Sequence, residues 1–146
     1  APGVVIDAAW AGTGVVVLTE DGEVFATERP GPTWVRVGGG MSALVGSDPV
    51  YAVGATASTG LARLGDELEP IPGAPLGPTV EWGGAPAVYD WSTDTVRILT
   101  ADGWTPVRLW VSEGFTAEFV RLVDGAAQPT VVARGARGLA LWTRAR

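Results

Sequence analysis

Apolar residues run along this chain in short bursts separated by turns that open on glycine. The first pair of bursts is 5–10 and 15–18, split by Gly12-Thr13-Gly14. The second is 43–45 and 50–53, split by Gly46-Ser47-Asp48-Pro49. The third is 79–82 and 87–91, split by Gly83-Gly84-Ala85-Pro86, and the fourth is 119–123 and 130–133, split by 125–129. Runs this short, rich in Val and bounded by turn residues, predict strands rather than helices. They recur at roughly 35 to 43 residues, which divides a single all-β domain, 1–146, into repeats at about 4–40, 41–77, 78–114 and 115–146.

A third strand follows in each repeat, at 24–26, 61–64, 96–99 and 139–142. The hairpins before them are Asp21-Gly22, Ser58-Thr59-Gly60, Thr93-Asp94-Thr95 and 135–138. Asp-Gly between alternating apolar runs predicts a two-residue turn, because both central positions must tolerate positive φ. Fourth strands are predicted at 34–37, 68–71 and 104–109, and the last repeat shows none of its own. Pro70, Pro72 and Pro106 place the second and third of these at sheet edges, where no ladder donor is needed. The best helical stretch, 60–68, is short and interrupted by Gly65. The fold predicted is all-β, a small propeller-like array of about four blades of antiparallel strands, with a β-sandwich as the alternative.

The turn from third to outer strand carries a motif. Thr27-Glu28-Arg29-Pro30-Gly31-Pro32-Thr33-Trp34 keeps the Thr, Gly, Thr and Trp of the pattern Ser/Thr-x-Asp-x-Gly-x-Thr-Trp, with Arg29 at the Asp position. Thr100-Ala101-Asp102-Gly103-Trp104 is a shortened version that retains Asp102. On these residues the chain resembles the blades of the BNR (Asp-box) and tectonin-like propeller group. Propellers of that group have six or more blades. The resemblance therefore implies either a very small ring or one completed by a second copy or a larger assembly.

Composition narrows the chemistry. The chain has ten Arg, no Lys, and a net charge of -6. The arginines are scattered, so there is no basic stripe to neutralise phosphates, and nucleic acid is not expected as a partner. Cys and His are both absent. That removes thiol nucleophiles, disulfides, Cys/His zinc sites and the Ser–His–Asp route. No cofactor, metal site or catalytic residue is expected. No run of eighteen apolar residues and no leader pattern opens the chain, so membrane insertion is not expected. Ala1 fits removal of either an initiator Met or a leader, and the location is left open.

Seven Trp are the remaining resource. Trp34 and Trp104 begin outer strands and read as packing. Trp10 and Trp82 end first strands and are expected to pack between neighbouring blades. Trp91 adjoins a hairpin and Trp110 an inter-repeat connection, two loop types that share one face of a propeller. With Asp90 and Asp94, which bracket Trp91, they form the candidate ligand- or partner-binding set. Gly38-Gly39-Gly40 lacks the Lys and helix of a phosphate loop and reads as a flexible connection between repeats. The expected function is a non-catalytic structural or protein-interaction module that self-associates within a homo-oligomer or larger assembly. A lectin-like glycan binder is the alternative, and a carboxylate-only glycoside hydrolase a further one.

Overall fold

The computed structural model describes residues 2–28, 33–56, 58–82, 84–90, 92–93, 95–107, 119–123, 130–136 and 138–143, with backbone alone at 119–122, 142 and 143. Trp91, Asp94 and Trp110 lie outside these residues. The fold is all-β. Fifteen strands are described, in four antiparallel sheets.

The first sheet runs β1 (Val5–Ala11), β2 (Gly14–Thr19), β3 (Val24–Thr27) and β4 (Val35–Gly38), in that spatial order. The second holds β5 (Met41–Val45), β6 (Tyr51–Gly54), β7 (Leu61–Leu64) and β8 (Leu68–Ile71), again in order. The third holds β9 (Thr79–Trp82), β10 (Ala85–Asp90), β11 (Thr95–Thr100) and β12 (Gly103–Pro106). The fourth holds β13 (Phe119–Val123), β14 (Thr130–Gly135) and β15 (Gly138–Thr143). Each sheet is a meander and each falls within one sequence repeat. The chain divides into two compact units, Ala1–Ala74 with the first two sheets and Pro75–Arg146 with the last two.

The second strand of each sheet is flanked by neighbours, and in the first three sheets it buries consecutive apolar residues. In β2, Val16, Val17 and Leu18 are all buried, and β6 and β10 bury Tyr51, Ala52, Ala87 and Val88 in the same way. In the first unit one core joins the two sheets. Val16, Leu18, Val24 and Val37 of the first sheet meet Met41, Val50, Ala52 and Ala62, with Ala9 and Ala11 of β1 packed at its margin.

The expected edge prolines sit where physics allows them. Pro70 is in β8 and Pro106 in β12, both outermost strands. Pro86 is different, since the sequence suggested a turn there. It is nearly fully buried in β10, opposite Glu81 of β9, one residue before pairing with β11 begins at Ala87. Only one side of the ladder needs a partner at that point, so the missing N–H costs little. The helical stretch at 60–68 is β7, a turn at 65–67 and the start of β8. Leu61 and Ala62 are both buried there, which a central strand allows.

The Asp21-Gly22 turn is one residue longer than Asp-Gly alone suggests. The Gly22 N–H donates to the Thr19 carbonyl and the Thr19 N–H to the Glu23 carbonyl, both at 2.9 Å. The loop is thus Glu20-Asp21-Gly22, and Gly22, at φ 82°, supplies the left-handed residue that a three-residue hairpin requires.

Candidate functional site

Asp90 ends β10 and is the one member of the expected binding set within the described residues. Its carboxylate is buried and engaged within its own hairpin. Oδ1 accepts the Ser92 N–H at 2.9 Å and the Ser92 hydroxyl at 2.6 Å. Oδ2 accepts the Thr93 hydroxyl at 2.8 Å and lies 3.2 Å from Nε of Arg97. The Ser92 hydroxyl above all, then Thr93, the Ser92 amide and the Arg97 charge, hold its pKa down at about 2 against the opposing effect of burial. Both oxygens are committed, so the geometry makes Asp90 the staple of the β10–β11 turn.

Two other hairpins among the described residues close in the same local manner with different side chains. The Thr19 hydroxyl donates to the Asp21 carboxylate and accepts the Glu23 N–H. Between β6 and β7, the Thr59 hydroxyl donates to the Thr56 carbonyl at 3.0 Å and accepts the Thr56 N–H at 3.1 Å. Hydroxyls and carboxylates that bond their own turn are the usual reason such residues occupy it.

In the first unit, the two second-to-third hairpins and the inter-repeat connection meet at one end. The Met41 N–H donates to the Gly22 carbonyl at 3.1 Å, and the Ala55 N–H to the Gly40 carbonyl at 2.9 Å. Gly40, at φ 76°, also has no room for a side chain, since a Cβ there would come within 2.9 Å of the Thr59 methyl. Gly38-Gly39-Gly40 is therefore a close-packed connection, with its glycines fixed by neighbours. Beside it lies a groove of about 410 Å³, lined by aliphatic and polar groups that include Arg36, Val37, Ser58, Thr59, Glu67 and Leu68. Arg36 forms an ion pair with Glu23, which raises the guanidinium pKa further. Among the described residues no group of three or more Asp or Glu is placed to hold a metal ion, and no helix is long and apolar enough to cross a membrane.

Trp82 is buried, as a strand-end Trp packing inward should be, whereas Trp10 is 61% exposed. Strand parity explains the correction. Asp7, Ala9 and Ala11 of β1 share the side that meets the second sheet, so Ala8 and Trp10 take the other. Ala9 and Ala11 reach the core, and Asp7 Oδ2 accepts the Leu44 N–H of β5 at 2.9 Å. Asp7 Oδ1 also caps the Ala8 N–H at 2.9 Å, beside a bulge between Val5 and Asp7. One side chain thus ties two sheets and covers a donor on an open edge. Replacing Asp7 with Ala should cost about 1.5–2 kcal/mol in a urea titration at pH 7, because the Leu44 amide loses a charged acceptor. A loss below about 0.5 kcal/mol would show that water replaces the carboxylate freely.

The exposed side of β1 is the feature that sequence reasoning missed. Ile6 is 56% and Trp10 61% exposed, with Ala8 between them, and Val4 and Val5 extend the apolar stretch. On β15, Leu139 and Leu141 form a second exposed row, 66% and 65%. The signal was present in the sequence, because β1 is apolar at both parities. Small residues on one parity suit a close sheet contact, which leaves the large ones on the other. No protein-family model matches the chain, and no curated protein matches it in sequence.

Proposed function

We propose that this chain is a non-catalytic, propeller-like interaction module that works by self-association within a homo-oligomer or larger assembly. The observation that carries the reading is the pair of exposed apolar rows, Ile6 with Trp10 on β1 and Leu139 with Leu141 on β15. Single exposed apolar side chains are ordinary, but rows on a strand are association surfaces. One meander per sequence repeat supports the blade reading, since a blade is such a sheet and cannot bury both faces alone. Partners of this surface are proteins, because nothing in the rows is charged enough to hold a polyanion.

The test is the mass in solution by light scattering behind a sizing column, at two concentrations about a hundredfold apart. The expected result is a mass that rises with concentration or a discrete oligomer at both. A single monomer mass at both concentrations would overturn self-association as the function of these rows.

A further inference from the structure

We infer that the outward side of the fourth sheet, where arginines and leucines share neighbouring cross-strand rows, docks on the acidic first unit of a second copy of this chain. This contact rests on the self-association reading above and gives it a surface, an occupant and a polarity.

The register builds the surface. Residues paired directly across a ladder lie on the same side of the sheet. Phe119, Arg134 and Leu139 therefore make one row across β13, β14 and β15, and Arg121, Val132 and Leu141 make the next. A third row holds Val123, Thr130 and Thr143. Val131 and Ala133, at the alternate positions of β14, are buried, so these rows take the outward side. Arg134, Leu139 and Leu141 are all exposed. No position in the three rows is acidic. That sets Arg134 apart from the other arginine side chains among the described residues. Arg36 pairs with Glu23, Arg97 with Asp90, and Arg63 stands opposite Glu69 in the β7–β8 register.

The chain itself carries the complement. Nine acidic residues and three arginines fall in Ala1–Ala74, and seven of each in Pro75–Arg146. The whole net charge of -6 thus belongs to the first unit. In the second, five arginines fall in 121–146, with Asp124 as the one acidic residue there. The first unit exposes Glu20, Asp21, Asp48, Asp66, Glu67 and Glu69. Unlike potentials steer surfaces together and like potentials keep them apart. Setting the arginine rows of two copies against each other would bring like charges together, which disfavours a contact of this side with itself. The favoured contact places the rows of one copy on the first unit of another. An exposed carboxylate there accepts parallel N–H bonds from the Arg134 guanidinium, and Leu139 and Leu141 exclude water around the pair. Such a contact is heterologous and needs no two-fold axis. Because it joins opposite charges at a surface, salt weakens it.

Sedimentation equilibrium of the full chain, from about 5 to about 500 µM, tests this at about 0.05 M and about 0.5 M salt. The expected result is an oligomer at low salt that dissociates at high salt. Arg134→Glu weakens it at least about tenfold. Arg63→Glu, the same change of charge within the first unit, does not weaken it. Arg134→Gln is the second probe if Arg134→Glu proves unfolded by circular dichroism, with a smaller loss in the same direction. The variant Glu20→Gln/Asp66→Asn/Glu67→Gln/Glu69→Gln, which keeps shape and removes charge from the first unit, weakens association as well. Mixed together, this variant and Arg134→Glu associate again, since one keeps the arginine rows and the other keeps the acidic unit. Two variants that stay monomeric on mixing overturn the contact. Association unmoved by salt and by Arg134→Glu also overturns it but leaves the self-association reading standing. A monomer at every concentration and salt overturns both.

Discussion

Leu18→Ala should destabilise the protein by about 3–5 kcal/mol, the largest single effect expected of any substitution here. Leu18 lies in the middle of β2, with strands on both sides, and is fully buried. Its neighbours in the core of the first unit come from both sheets, with Val24 and Val37 on one side and Val50, Ala52 and Ala62 on the other. Truncation removes a buried isobutyl group and leaves a cavity walled by paired strands, which cannot collapse without breaking ladder hydrogen bonds. Both the transfer and the cavity contributions should therefore appear nearly in full. In a thermal melt the shift is about 2–4 °C per kcal/mol for a chain of this size, so a fall of roughly 6–20 °C is expected. Leu139→Ala is the control, since that side chain is 66% exposed. It should cost less than about 0.5 kcal/mol. Similar losses for the two substitutions would mean that Leu18 is not part of a tightly packed seam.

The second large effect is at Asp90. Asp90→Asn should cost about 2–3 kcal/mol at pH 7, because a buried carboxylate with three hydrogen-bond donors and an arginine loses its charge. The dependence on pH distinguishes this from simple loss of shape. The folded-state pKa is about 2, below the ordinary carboxylate value, so folding favours the ionised form. The stabilisation is fully present above about pH 4–5, falls between about pH 4 and pH 2, and is lost below that. The gap between the native protein and Asp90→Asn should narrow over the same interval. Urea midpoints at pH 7, 4, 3 and 2 measure it. A gap that stays constant down to pH 2 would show that the carboxylate's charge contributes nothing to the turn.

Much of the fold is written in local pattern. The second strands read correctly because a central strand buries both faces, so its apolar run has no gaps. Pro70 and Pro106 located sheet edges because a missing N–H is tolerated only there. The departures share one cause, which is that pairing partners decide what local chemistry leaves open. Pro86 looks like a turn residue, yet it enters β10 because only β9 pairs with it at that point. Gly22 needed a third loop residue before it because Thr19 and Glu23 pair across the turn.

The site was less legible than the fold. Asp90 stood out in the sequence as one of two carboxylates flanking a Trp, and such pairs suggest a ligand. Whether a carboxylate in a hairpin faces outward or bonds its own turn depends on the hydroxyls two and three residues on. Ser92 and Thr93 were in view, and the structure shows them donating to Asp90. Trp10 was misassigned to a buried contact because its size argues for burial, whereas strand parity places Asp7, Ala9 and Ala11 against the neighbouring sheet.

The polar link between the first two sheets joins a side chain to a main chain. Asp7 recognises the amide of residue 44, and every residue but proline offers one. The packing beside it is made by alanines, which accept many shapes opposite them. The polar link therefore constrains Asp7 and leaves the side chain at position 44 free, whereas the apolar core constrains both sheets. A meander spliced in place of the second sheet would keep this link with any residue but proline at position 44, provided that Asp7 is retained and the apolar residues at 41, 50, 52 and 62 are matched.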